Sequence, residues 1–354
     1  MVEGIDDSIL YDLVIVGGGY AGAWLSYFAA RECPDWNVLL LDRKNLGSGA
    51  SYYSADLDFP NNATPTHKRL SSESRALIAA AQAGIPDLPI AGLPAFAIGD
   101  TDTQLAQLAE SEGGVPVEEE MYVSGFRFRK AYQWQRKGVR AQRAVDKTTI
   151  SKLMGQAMQN TSVFVNHQTE VTNIMAGPAG NEVFYSNKSV QARYVITAVG
   201  PWILQAPWIN EDIHAAVRIK KVVAFELRLP PAPDDTLIYM VNEGAFLLPQ
   251  PEAGQWLFSI TSTEWDCRPV TGELKISADD RATAQRILGK YVPELLPFLS
   301  DGRVFCDAYP VCGHPGVFKL NEEGTHLFAG GGSGSGFRLS PAIAYEAIQT
   351  IKNR

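Results

Sequence analysis

The chain has 354 residues, 45% hydrophobic and 20% charged, the balance of a globular protein with room for more than one usual domain. A formal net charge of -8 argues against a nucleic acid or an anionic membrane as partner. No apolar run reaches membrane-spanning length, the five His and four Cys (Cys33, Cys267, Cys306, Cys312) show no metal-ligand spacing, and the acidic start Met1–Asp7 lacks a signal-peptide pattern, so a cytoplasmic protein without a metal is expected.

Leu13–Val16 reads as a strand buried on both faces, and the glycines after it turn the chain into a helix over 20–30. Gly17, Gly19 and Gly22 make the G-x-G-x-x-G spacing: a tight turn, close backbone approach to a pyrophosphate, and close packing of helix on strand. The helix start at Tyr20 and Ala21 offers N–H groups and a positive dipole end to phosphates. A second strand, 37–42, ends in Asp42, where a ribose-binding carboxylate belongs. Arg43 follows, then the small residues Gly47–Ser51, and 52–60 reads as irregular.

A helix is predicted over 69–83, closed by Gly84, with Leu70, Leu77, Ile78 and Ala81 inward. Asp102 caps a short helix over 103–112, and partial alternation predicts a strand over 121–132. Asp146 caps an amphipathic helix that buries Ile150, Leu153, Met154, Ala157 and Met158. Strands follow over 163–165, 168–174, 181–186 and 192–202, the last ending near Gly200. Four more (222–229, 237–241, 245–248, 256–260) predict an antiparallel sheet flooring a substrate site. Ser277 caps a helix ended by Pro293 and Pro297, and Ser340 with Pro341 predicts the start of the last helix.

The order of these motifs resembles the D-amino-acid oxidase superfamily, close in style to glycine and sarcosine oxidases. The likeness rests on the glycine motif with Asp42, the Gly47–Ser51 segment, Glu170-Val171 after a helix, the 194–202 strand, and the closing loop Gly332–Pro341. It implies an α/β fold: a Rossmann-like, glutathione-reductase-type FAD-binding domain assembled from 1–84, 143–218 and 303–354, and a second, antiparallel-sheet substrate domain from 85–142 and 219–302. It implies non-covalent FAD, with Gly17, Gly19, Tyr20, Ala21, Gly22 and Ser51 at the pyrophosphate, Asp42 and Arg43 at the ribose, Val171 at the adenine, and Gly200, Gly332, Gly334, Ser335, Gly336 and Phe337 along the flavin.

The substrate side departs from the relatives. Ser335 and Arg338 stand where sarcosine-oxidase-like proteins carry His and Lys, and Arg338 is suited to a substrate carboxylate. Tyr309 replaces a substrate-binding Arg, Asp307 occupies the place of a flavin-attaching Cys, and Thr263–Cys267 lacks a lysine that relatives place over the flavin for oxygen. Trp265 and Tyr309 are candidates to wall the pocket, and His314 to handle protons. Asp56 and Asp58 stand near a missing base, either as partners of a substrate cation or as loop acids. The expected activity is oxidation of a C–N bond of a small amino acid or amine to an imine. The alternative is a tailoring flavoenzyme, dehydrogenase or monooxygenase, acting on a larger or carrier-bound substrate. The electron acceptor and the oligomeric state stay open.

Overall fold

The computed structural model describes residues 5–59, 64–101, 105–106, 108, 113–160, 162–270 and 272–354. The helix predicted over 103–112 lies mostly outside them.

The first of two large sheets has eight strands, with the parallel run Val163–His167, Val38–Asp42, Leu10–Val16 and Lys188–Thr197 at its centre. Lys188–Thr197 changes partner partway: Lys188 to Ala192 pair with Gly180–Tyr185, and Val195 to Thr197 with His326–Gly330, which runs parallel to them. Leu10–Val16 is covered on both sides, as its apolar run predicts. Leu13 and Ile15 face the helices Tyr20–Glu32, Thr149–Ala157 and Gly336–Lys352, while Val14 and Val16 face the cluster with Val171, Val183 and Tyr185. Trp24 and Phe28 stack at 5.5 Å in the helical layer. A fully buried apolar side chain of this size stabilises the fold by about 1.5–3 kcal/mol.

The second eight-stranded sheet runs in the order Leu299–Pro310, Val217–Leu227, Gln255–Ile260, Ala245–Gln250, Leu237–Met240, Ala95–Gly99, Trp134–Lys137, Val115–Pro116. It is mixed rather than antiparallel throughout, because Leu237–Met240 pairs in parallel with Ala95–Gly99. Residues 303–310, counted with the dinucleotide-binding segments in the sequence, run in this sheet. Alternation divides its faces. Val223, Phe225 and Leu227 pack against helix Ala278–Tyr291, while Lys220, Val222 and Ala224 take the opposite parity. The helix start is pinned by a capping box between Ser277 and Asp280. Asp280 also receives the buried Lys221 ammonium at 2.7 Å and the Ser262 hydroxyl at 3.0 Å.

Several predicted boundaries move. The helix expected from residue 69 begins at Pro65, because Thr64 accepts the His67 N–H and a proline suits the first turn. The helix expected to follow Asp146 starts at Thr149; Asp146 instead accepts from the Thr148 N–H in the turn before it, and Met158 lies past the end, half exposed. The strand expected over 121–132 is a small hairpin, Tyr122–Val123 with Phe126–Arg127. The last helix begins at Gly336 with Pro341 inside it, since burial of Phe337 and Leu339 holds the earlier turn helical. Within 52–60, a short helix Ala50–Tyr53 and a strand Leu57–Asp58 appear where no order was read.

His326 sits buried on the sheet with Nε2 2.9 Å from the Thr197 hydroxyl, and burial lowers it from 6.5 to about 4. A histidine lowered on folding stabilises the fold above its unfolded value and loses that contribution as pH falls towards 4. The loss between pH 7 and pH 5 is expected to be about 2 kcal/mol. Urea unfolding of the wild type and of His326→Gln at both pH values checks this, with the variant expected to lose less.

Candidate active site

A cavity of about 270 Å³ runs from the first sheet to the second. Its first stretch is the turn after Leu10–Val16. Gly17 has φ of +110°, and a Cβ there would lie 2.6 Å from the Ala198 carbonyl oxygen. One helical turn on, a Cβ on Gly22 would fall 1.9 Å from the Gly17 carbonyl oxygen. These two positions let the helix start seat directly on the strand end. The helix has no side-chain cap and no acid in its first turn, so its dipole end faces the cavity uncompensated. Ser51 closes the opposite wall, its Oγ accepting the Tyr20 N–H at 3.0 Å.

Asp42 ends the second strand beside this turn. Its carboxylate accepts the Gly18 N–H at 2.6 Å and the Lys44 N–H at 2.7 Å. Burial pushes the Asp42 carboxyl up, and the two N–H groups oppose that rise. Val171 and Arg43 line the same end, Arg43 lying 4.5 Å over the Trp202 ring. The cradle therefore combines close backbone, an uncapped helix start and an anchored carboxylate, which together fit a dinucleotide.

The far end is built by the second sheet and the closing glycine loop. Val222, Ala224, Phe305 and Asp307 face it, with Gly332, Gly334, Gly336 and Phe337 opposite. Asp307 ties the two together: Oδ2 accepts the Gly334 N–H and Oδ1 the Ala308 N–H, both at 2.8 Å. Burial pushes its carboxyl up to about 6. Tyr20 packs edge-on to Phe337 at 5.2 Å and donates from its hydroxyl to Asp56 at 2.6 Å, whose other oxygen meets Lys147.

Of the predicted cofactor residues, Gly17, Gly19, Tyr20, Ala21, Asp42, Arg43, Ser51, Val171, Gly200, Gly332, Gly334, Gly336 and Phe337 line the cavity, and Gly22 supports it from behind. The four substrate-side candidates do not line it. Arg338 is 2% exposed, and its guanidinium donates to the Phe59 carbonyl and the Ser335 hydroxyl with Asp58 3.9 Å away. The free carboxylate clamp expected there is instead a buried tie between the last helix and the Leu57–Asp58 strand, and Ser335 serves that tie. Asp58 is taken by Arg75 at 2.7 Å and Asp56 by Tyr20 and Lys147, so both acids have protein partners rather than awaiting a substrate cation. Trp265 is 38% exposed beyond the cavity, and His314 is exposed. Tyr309 stands beside the cavity, its hydroxyl 2.9 Å from where a Cβ on Gly334 would be. Sequence reasoning missed Val222, Ala224 and Phe305 as lining residues and read Asp307 only as a replaced cysteine. Their signal is strand parity, which needs the register of the two long strands to be read.

The family model described as DAO, FAD dependent oxidoreductase, matches residues 12–350, and the chain belongs to this family. It is thus an FAD-dependent oxidoreductase. Its fold is shared with glycine oxidase from Geobacillus kaustophilus, at 18% identity and TM-score 0.73 over 97% of this chain and 95% of that one. L-proline dehydrogenase from P. horikoshii gives 14% and 0.74 over 98% and 94%. Amadoriase I from Aspergillus fumigatus, a fructosyl amine:oxygen oxidoreductase, gives 14% and 0.74 over 99% and 88%. No curated protein sequence matches the chain.

The contact of Gly22 with Gly17 makes a prediction. Gly22→Ala forces the helix off the strand end and is expected to weaken FAD binding at least about tenfold, a loss of about 1.4 kcal/mol. Flavin absorbance per protein after gel filtration, with circular dichroism to verify folding, checks it; full flavin occupancy contradicts it.

Proposed function

We propose that this protein oxidises a C–N bond of a small amino acid or amine to an imine, using non-covalent FAD. The observation that carries the reading is the single cavity joining the glycine-turn cradle to the face of the second sheet. A dinucleotide held at Gly17–Ala21 and Asp42 is directed by it towards Val222, Ala224 and Asp307. The fold relatives named for glycine, proline and fructosyl amines supply the bond type. In this reading the segments 1–84, 143–218 and 303–354 form the cofactor-binding part, and 85–142 with 219–302 the cap. The four cysteines form no disulfide, which fits a reducing, cytoplasmic setting, and no helix among the described residues is long and apolar enough to cross a membrane.

FAD, when bound, supplies the acceptor for a hydride equivalent from the carbon next to the substrate nitrogen. The chain's own residues shape the site. Asp307 fixes the closing loop through Gly334, so the wall on that side is held by a charge-assisted bond. Tyr53, Phe305 and Trp202 form an aromatic wall along the cavity, Tyr53 on Phe305 at 4.7 Å and Trp202 on Phe305 at 5.4 Å. Cys306 lies in the apolar cluster with Ile203 and Ile219, and burial pushes its thiol up to about 12. A thiol held protonated is a poor nucleophile, which supports non-covalent flavin.

Anaerobic mixing of the FAD-loaded protein with amines, amino acids and 2-hydroxy acids tests the reading. An amine or amino acid is expected to bleach the flavin absorbance and yield ammonia or a primary amine after hydrolysis. Bleaching by hydroxy acids alone contradicts it. Acid precipitation is expected to leave the pellet colourless; a yellow pellet contradicts the non-covalent part.

A further inference from the structure

The cations around the far end of the cavity are mostly committed. Arg218 makes a two-point pair with Asp266, at 2.9 and 2.6 Å. Lys221 is buried between Asp280 and Glu264. Arg338 is held by Phe59, Ser335 and Asp58. Arg303 donates to the Ser54 carbonyl at 3.0 Å.

Like Arg303, Lys220 has no carboxylate within ion-pair distance among the described residues, but where Arg303 donates to a backbone carbonyl, the contacts of Lys220 are rings: Nζ is 4.8 Å from the Trp265 centroid and 5.6 Å from that of Tyr309. The two rings meet edge to face at 5.4 Å and 74°, forming a corner that holds the ammonium. The parity of the strand places Lys220 on the face that Val222 and Ala224 present to the cavity, one step beyond its lining. In the ladder Lys220 stands directly opposite Asp307. No ion pair joins them, because Asp307 is turned onto the Gly334 and Ala308 N–H groups. Tyr309 carries the corner up to Gly334, which lines the cavity.

A half-buried ammonium that meets only aromatic faces is poorly compensated. Burial lowers the Lys220 pKa and no carboxylate raises it, so an anion arriving there regains what desolvation costs. A small carboxylate on an organic body can pair with the ammonium through its charge and pack its apolar part on the rings.

We propose that Lys220, cornered by Trp265 and Tyr309, is the anion-binding residue of the substrate site and selects substrates that carry a carboxylate beside the oxidised C–N bond. The proposal rests on the C–N reading above for its substrate and names the residue on this chain that tells an amino acid from a simple amine. Arg338, whose chemistry suits that role, is committed elsewhere.

Two arms test it on the FAD-loaded protein. The first needs no turnover: acetate is titrated and the flavin absorbance followed. Saturable perturbation is expected in the wild type, about ten- to a hundredfold weaker in Lys220→Met and largely kept in Lys220→Arg. Equal responses in wild type and Lys220→Met, or none in the wild type, overturn the proposal. The second arm compares an amino acid with its decarboxylated amine in anaerobic flavin reduction. Lys220→Met is expected to raise the half-saturating concentration of the amino acid by a similar factor, leave the limiting rate nearly unchanged, and leave the amine unaffected. A parallel loss for both overturns the proposal. Acetate binding that depends on Lys220, with no bleaching by any amine or amino acid, supports the anion site and overturns the C–N reading. Lys220→Arg serves as the folded control, since it keeps the charge.

Discussion

The dinucleotide cradle of this molecule depends on how closely one helix can approach one strand. The carbonyl of Gly17 sits where any side chain at Gly22 would be. That contact sets the helix start against the strand end, aims its dipole into the cavity, and leaves room for nothing larger than backbone. The Asp42 carboxylate then locks the turn from the neighbouring strand through the Gly18 N–H. With the turn fixed, Ser51 and the chain after it are fixed by the Tyr20 N–H, and the closing loop by the packing of Phe337 on Tyr20. Residues more than 300 positions apart in the chain thus meet at one aromatic contact.

The second sheet contributes through alternation. One face of Val217–Leu227 builds a core under helix Ala278–Tyr291 and buries Lys221 in full compensation. The other face turns towards the cavity and carries Lys220. Two adjacent lysines consequently have opposite lives: one is neutralised by carboxylates and structural, the other is held by rings beside the ligand space. Nothing but a strand's period of two separates them.

The sequence was most legible where local chemistry decides the outcome. The Gly17–Gly22 turn, Asp42 at a strand end and the Ser277 cap are each set by neighbours in the chain, and each stands as read. The type of Arg338 suits a substrate carboxylate and a local partner equally, and only its place behind the closing loop gives it the Phe59 carbonyl, Ser335 and the nearby Asp58. The loop acids Asp56 and Asp58 likewise have partners, Lys147 and Arg75, that lie far along the chain or across a helix. Asp307 and Val222 face the cavity by virtue of a register that sets Lys220 opposite Asp307 and Val222 opposite Phe305, which no local pattern encodes. The last helix shows the same limit, since buried apolar contacts override the start signal of Ser340 and Pro341.

The central claim is that one cavity holds the whole cofactor and points its reactive end at the second sheet. A crystal structure of the FAD-loaded protein tests it directly. The account predicts the pyrophosphate at the helix start after Gly19, the ribose at Asp42, and the flavin ring between the Gly332–Phe337 loop and the face of Val222 and Ala224. A flavin ring lying away from that face, or an adenosine end away from Asp42 and Val171, would contradict it.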